Sequence, residues 1–314
     1  MENIPGTPNP DLLVGTEFDD TIDGFEGNDT IDGLLGNDSI EGGLDGDIVL
    51  GGAGDDTISD SEGDDTIAGG GNNDLIVSGI GNDIVFGNQG DDSLIGEDGN
   101  DTMAGGQDND AIVGDLDNRA TGDDIIFGNL GSDIIYSGRG NDTLFGGQDD
   151  DYLTGGEGDD LLSGDRGGDI LVGIDLIDES FLGLVEEQTP IPPDLDIDFG
   201  SDFGAGEIDT LIGGDGVDLF VLGFGSLMAN ALGIDPRDFY IGSGDSDFAV
   251  IQDFNPGLDL IIARDASDLR LENRSIDGLG AGVAVVVDSQ SELIAFIPSL
   301  TSDQIALGIN IISG

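Results

Sequence analysis

The sequence contains no cysteine, no histidine, no tryptophan and no lysine. Each absence excludes something. Without cysteine there is no disulfide framework and no thiolate chemistry. Without histidine the commonest general base and the commonest transition-metal ligand are missing. Aromatic residues make up 5% and hydrophobic residues 37%, enough for a long thin core rather than a large globular one. No run approaches the roughly eighteen apolar residues of a membrane-spanning helix. Positive charge is scarce too. Seven basic residues, all arginine and beginning at Arg119, stand against 68 acidic ones, for a formal net charge of −61. Nucleic acid and anionic membrane surfaces are therefore poor partners by direct contact, and no nucleic-acid partner is expected. Self-repulsion of this size opposes a compact state unless counterions neutralise it.

What the chain has in abundance is glycine and aspartate in strict order. From Gly15 to Val172 one nine-residue pattern recurs, G-G-x-G-x-D-x-U-x, where U is a large apolar residue. Gly51-Gly52-Ala53-Gly54-Asp55-Asp56-Thr57-Ile58-Ser59 is the clearest copy, and Gly155 to Ser163 is another. Allowing one five-residue insertion between Gly114 and Phe127, the sixth position is aspartate in every copy. These residues are Asp20, Asp29, Asp38, Asp47, Asp56, Asp65, Asp74, Asp83, Asp92, Asp101, Asp110, Asp124, Asp133, Asp142, Asp151, Asp160 and Asp169. Two further copies carry Asp209 with Leu211 and Asp218 with Phe220. The eighth position is apolar throughout, from Ile22 through Ile67, Met103 and Leu144 to Leu171.

The spacing has a physical reading. Six residues rich in Gly and Asp suit a turn, because Gly tolerates positive φ and Asp caps local amides. The three residues x-U-x suit a short strand with U pointing inward. Two turns and two strands close one coil. A coil cannot bury its own apolar residues, so successive coils must stack as parallel strands. Stacking sets sixth-position residues such as Asp56 and Asp74 about 4.8 Å apart along the axis. A ladder of like charges at that spacing would split the fold. A hard dication between coils reverses the sign, and calcium accepts the carboxylate and carbonyl oxygens that such turns supply. A single Gly-Asn-Asp-Thr is an ordinary solvated turn; the unbroken phase of the array is what turn preference does not explain. Multiple calcium ions are the expected cofactor. Copies with Asp45, Asn72, Asp108 or Asp149 in place of the fourth glycine are expected to differ in their binding, as is the Asp209 copy with Glu207 there. The first copy, with Phe18 at that place, is expected to cap the array.

The array resembles the hemolysin-type calcium-binding repeats of the RTX family. The resemblance implies an all-β fold, a right-handed parallel β-roll, with ions held between coils by the sixth-position aspartates and backbone carbonyls. Related RTX proteins leave the cell by a one-step exporter that reads an uncleaved C-terminal signal. The segment Ile251 to Asp259 is similar to one that often follows such rolls in cyanobacterial members.

Three regions are expected. Residues 1–14, with Pro5, Pro8 and Pro10, read as an extended leader without the basic and apolar parts of a secretory signal. Residues 15–223 form the roll, with an insert loop at 114–121 and a non-repeat excursion at 174–203. Residues 224–314 read as a β-rich cap that also holds the possible secretion signal. Within it, strands are expected at 248–254 and 258–263, a hairpin at 283–297, and a short helix begun by a Thr301/Gln304 capping box.

The function expected is a non-catalytic, calcium-binding, secreted protein of a cell surface, adhesive layer or matrix. The alternative is a calcium-binding and secretion module of an enzyme or toxin without its catalytic domain. A third reading, ice or crystal binding, rests on Thr21/Asp23 and Thr30/Asp32 alone. Outward positions turn apolar later in the array, as at Leu75/Val77, Ile84/Phe86 and Ile125/Phe127. Such faces are either covered by other segments of the chain or dock a partner or a second copy.

Overall fold

The computed structural model describes residues 1–116, 120–173, 209–215, 219–221, 249–254, 260–262, 269–276, 279–287 and 292–298. They fall into two compact units, residues 1–139 and residues from 140 onward. The described residues form strands and turns, with no helix among them. The fold is the all-β parallel solenoid expected from the repeat.

In the first unit the chain feeds two parallel sheets alternately. One sheet runs in the order Asn3–Pro5, Thr21–Asp23, Ser39–Glu41, Thr57–Ser59, Leu75–Val77, Ser93–Ile95, Ala111–Val113 and Ile134–Arg139. The other runs Leu12–Val14, Thr30–Asp32, Ile48–Ala53, Thr66–Gly71, Ile84–Gln89, Thr102–Gln107 and Ile125–Leu130. Register follows the repeat without slippage: Ile22 lies beside Ile40, and Val49 beside Ile67. The insertion does not disturb it, since Met103 pairs with Ile126 and Ile112 with Ile135. The strands on either side of the insertion stay in step.

Residues 1–14 join the stack as two short strands with a bend at Pro8 between them. Asn3–Pro5 pairs with Thr21–Asp23 and Leu12–Val14 with Thr30–Asp32. Ile4 and Leu13 fall beside Ile22 and Ile31, and the turn before Leu12 keeps Gly6 and Asp11 in the first and sixth positions, with Asp11 N donating to Asp29 Oδ1 at 2.7 Å.

The core is a double file of eighth-position residues. Ile22, Ile31, Ile40, Val49, Ile58, Ile67, Ile76, Val85, Leu94, Met103, Ile112, Ile126 and Ile135 are all buried. Their strand neighbours differ between the sheets. Ile48, Leu50, Ile84, Phe86 and Ile125 of the second sheet stay exposed, while Ile95, Val113 and Tyr136 of the first are buried. Turn geometry explains much of the glycine. The second and fourth positions take left-handed φ, as at Gly52 (114°) and Gly54 (139°). Asp45, Asn72, Asp108 and Asp149 adopt the same conformation at the fourth position, with φ of 74–79°, which Asp and Asn tolerate better than most residues.

The second unit continues the same construction. Its parallel pairs include Leu144 with Leu162, Leu153 with Leu171, and Leu162 with Leu211. The last of these spans the excursion, so the stack resumes in register at Thr210–Ile212. Stacking also runs past position 223. Ala249–Ile251 pairs in parallel with Thr210–Ile212, and Leu260–Ile262 with Leu219–Val221. Ala249 replaces the sixth-position aspartate in the first of these copies, and Phe254 replaces the first-position glycine in the second, which keeps Asp259, so the repeat pattern is broken in both. Glu292–Pro298 then pairs in parallel with Ala249–Ile251 and opens an antiparallel sheet with Gly280–Val287 and Leu269–Ile276. The hairpin was expected; Leu269–Ile276 was not. Val250, Ala284 and Phe296 form its buried core, with Ile276 packed against them. The excursion at 174–203 and the Thr301/Gln304 capping box lie outside the described residues.

The inward and outward positions should differ in mutational cost. Ile67→Ala should remove about 2–5 kcal/mol from the calcium-loaded protein, whereas exposed Ile84→Ala should stay within about 0.5 kcal/mol. Guanidinium unfolding reads both. Equal effects would refute the assignment of the two faces.

Candidate metal centre

Each turn ends on its aspartate, and that carboxylate is held by the neighbouring coil. The backbone N–H of Asp38 donates to Asp56 Oδ1 at 2.8 Å, and that of Asp56 donates to Asp74 Oδ1 at 2.8 Å. The same bond recurs down both turn columns, from Asp20→Asp38 and Asp29→Asp47 to Asp101→Asp124 and Asp110→Asp133. In the second unit it links Asp142 to Asp160, Asp151 to Asp169 and Asp160 to Asp209. The sixth-position aspartates from Asp20 to Asp169, and Asp209, are buried. Asp218 lies outside the described residues.

The second oxygen carries the chemistry. Oδ2 of Asp29, Asp38, Asp47, Asp56, Asp65, Asp74, Asp83, Asp92, Asp101 and Asp110 is buried and accepts no hydrogen bond. For Asp29, Asp38, Asp56, Asp92 and Asp101 it faces the first-position glycine of its own turn and a main-chain carbonyl of the next coil. A Cβ placed on Gly51 would stand 2.6 Å from Asp56 Oδ2 and 2.6 Å from the Gly69 carbonyl oxygen. Gly33 faces Asp38 Oδ2 and the Gly51 carbonyl in the same way, and Gly87 faces Asp92 Oδ2 and the Gly105 carbonyl. The first glycine is thus required for space rather than for φ. It keeps open a gap in which two acceptors converge and no donor answers the carboxylate oxygen.

A buried acceptor left unanswered is costly, so each gap calls for a proton or a cation. Burial acts first, and like-charged neighbours add to it against the opposing backbone hydrogen bond. Together they push Asp47, Asp56, Asp65 and Asp101 up to about 6, Asp83 and Asp92 to about 7, and Asp74 and Asp110 to about 8. Asp20 is the exception. Its Oδ2 accepts from the Thr16 hydroxyl and the Thr16 N–H, each at 2.7 Å, and the hydroxyl bond leads in holding its carboxyl below the usual value. This turn closes itself with protein groups, as does the one before it, where Asp11 Oδ2 accepts from the Thr7 N–H at 2.6 Å and the Thr7 hydroxyl at 2.8 Å.

A second column supplies the contrast. The fifth positions along one edge of the first unit read Asp19, Asn37, Asp55, Asn73, Asp91 and Asn109, and end on Ser132. There each carboxylate meets an amide residue. Asn37 N donates to Asp19 Oδ1 at 3.0 Å, Asp55 N to Asn37 Oδ1 at 3.2 Å, and Asn109 N to Asp91 Oδ1 at 2.9 Å. On this exposed edge charge is diluted by alternation. At the buried sixth position it is not diluted at all, which marks that column as the one designed for a counter-charge.

The donor set is carboxylate and carbonyl oxygen alone, which suits a hard cation such as calcium and not a soft transition metal. Fold and gaps together define a calcium-binding repeat solenoid. A family model described as the RTX calcium-binding nonapeptide repeat matches residues 5–40, 41–76, 77–112, 120–144, 138–171 and 203–226. The matches cover more than half of the chain, and the chain belongs to that family. No curated protein matches it.

Two features escaped the repeat pattern. Asp253 sends both carboxylate oxygens to the resumed stack, accepting from Gly213 N at 2.9 Å and Gly214 N at 2.7 Å. Asp60 occupies a first position, and Asp47, Asp60 and Asp65 offer oxygens within 4.8 Å of one another. The replacement of glycine at 60 was the visible signal for the second; nothing in the repeat pattern marked the first.

The raised carboxyls give a signed pH dependence. A group whose folded value is raised stabilises the cation-free fold below its unfolded value, near 3.8, and that contribution fades as pH rises through 6 to 8. In chelator, the thermal midpoint by circular dichroism should therefore fall between about pH 5 and about pH 8. A rise over that window would contradict the raised values.

Proposed function

We propose that this is a non-catalytic, secreted calcium-binding protein whose solenoid folds as it takes up calcium. The observation that carries the reading is the file of buried Oδ2 atoms facing main-chain carbonyls with no donor between them. The assigned ligands are the sixth-position aspartates beyond the first copy, from Asp29 to Asp169 and Asp209, with Asp218 on the strength of the repeat alone. Bound calcium supplies the positive charge that lets adjacent carboxylates ionise together. The chain holds each carboxylate in place through the N–H of the coil before it, and the first-position glycine keeps the gap open. Because ligands on adjacent coils must come together, binding and stacking form one equilibrium. The carboxylates stand in columns at coil spacing rather than as a pair facing a cleft, which supports a binding role over acid–base catalysis.

Sites built from few charges and several carbonyls suit the calcium level outside cells, and that supports secretion, by the signal-peptide-independent type I route of related proteins. The exposed row of Ile48, Leu50, Ile84, Phe86 and Ile125 supports a self-associating component of a cell surface or matrix, with a second copy of this chain as the occupant. Light scattering with calcium present should give a mass of at least two chains. A strict monomer at high concentration would remove this part of the reading.

The calcium reading predicts a reversal of sign. Asp74→Asn removes one buried charge but keeps the shape. At neutral pH it should raise the thermal midpoint in chelator and lower it in saturating calcium, with β signal in the unaltered chain growing as calcium is added. A shift in the same direction under both conditions, or no response to calcium, would end it.

A further inference from the structure

One turn breaks the pattern that its neighbours share. Asp60 stands in a first position, where Gly51 and Gly69 stand in the copies on either side. Its Oδ1 accepts from Gly43 N at 3.0 Å and from Ser61 N at 2.8 Å, so the carboxylate is fixed. Its Oδ2 accepts nothing and is buried. That oxygen points at Gly42: a Cβ there would meet Asp60 Oδ2 and stand 3.0 Å from Asp47 Oδ2. At Gly33 and Gly51 the same place faces a neutral carbonyl of the next coil. At Gly42 a carboxylate has taken that carbonyl's role.

The result is a cluster unlike the repeat gaps. Asp47, Asp60 and Asp65 are 2%, 7% and 1% exposed, and the Oδ2 atom of each is without a partner. Among the described residues no cationic group forms an ion pair with any of them. Ser78, in first position one coil further, resolves the same crowding differently. Its hydroxyl donates to the Gly96 carbonyl at 3.0 Å. Asp60 has no such outlet.

We propose that Asp47, Asp60 and Asp65 form a three-carboxylate calcium site, distinct from the repeat gaps and filled ahead of them. The proposal rests on the calcium reading above. Calcium affinity rises with the number of charged ligands and with the rigidity of the site. Here a third carboxylate is added and is already oriented by two backbone N–H groups. A first ion bound at this point joins the coils of Gly42 and Asp60, early in the array, and so provides the seed on which later coils stack.

Calcium titration of the full chain against a competing chelator tests this. The unaltered chain should resolve one ion bound at least about tenfold more tightly than the rest. Asp60→Asn should abolish that step and leave the weaker sites in place. Asp60→Gly restores the residue the repeat uses and should do the same, so it decides the matter if Asp60→Asn loses its β signal in saturating calcium. A tight step that survives substitution, or is absent from the unaltered chain, overturns the three-carboxylate site while leaving the repeat reading intact. No calcium bound at all overturns both.

Discussion

Repulsion between carboxylates stacked about 4.8 Å apart is the constraint to which everything else in this molecule answers. The apolar file of Ile22, Ile40, Ile58 and Ile76 draws the coils together. The buried file of Asp20, Asp38, Asp56 and Asp74 would drive them apart if ionised. Both files have the same period, so neither can be satisfied without confronting the other. The gaps beside the first-position glycines are where the conflict is resolved, because there the carboxylate oxygens turn toward neutral carbonyls instead of toward one another.

That arrangement makes stability conditional rather than fixed. The eighth-position residues contribute the same burial in any medium, but the sixth-position residues contribute according to what occupies the gap. A proton neutralises one oxygen and joins nothing. A dication neutralises more charge and also bridges two coils. The raised carboxyls of Asp74 and Asp110 are the electrostatic signature of this unsatisfied state, and the lowered carboxyl of Asp20 shows what one good hydroxyl donor does in its place.

The repeat and its chemistry were legible because period and composition agreed at every copy. Sheet register, the identity of the core file and the oxygen-only donor set all follow from one nine-residue phrase. What the phrase does not contain was harder to read. Leu12–Val14 follows a turn that keeps Gly6 and Asp11 but has Thr7 and Asn9 at the second and fourth positions, and Ala249–Ile251 joins the stack with Ala249 where the sixth-position aspartate would stand. Leu269–Ile276 pairs by antiparallel contacts with Gly280–Val287, a relation that no repeat encodes. The role of Asp60 depends on where its carboxylate turns, and two backbone N–H bonds decide that in space. Burial of Ile95 and Val113 beside exposure of Ile84 and Phe86 likewise depends on tertiary surroundings, since all four belong to similar strands.

The alternation of Asp19, Asn37, Asp55, Asn73, Asp91 and Asn109 gives the first unit a parity. From Asp19 to Asn109 each coil of this edge is of one kind or the other, and only unlike kinds are neighbours. Excision of the single coil holding Asn73 would set Asp55 against Asp91 with no amide between them. Excision of two coils would restore the order. The heritable length unit of this edge is therefore a pair of coils, and growth or shrinkage of the array by odd steps carries a penalty that even steps escape.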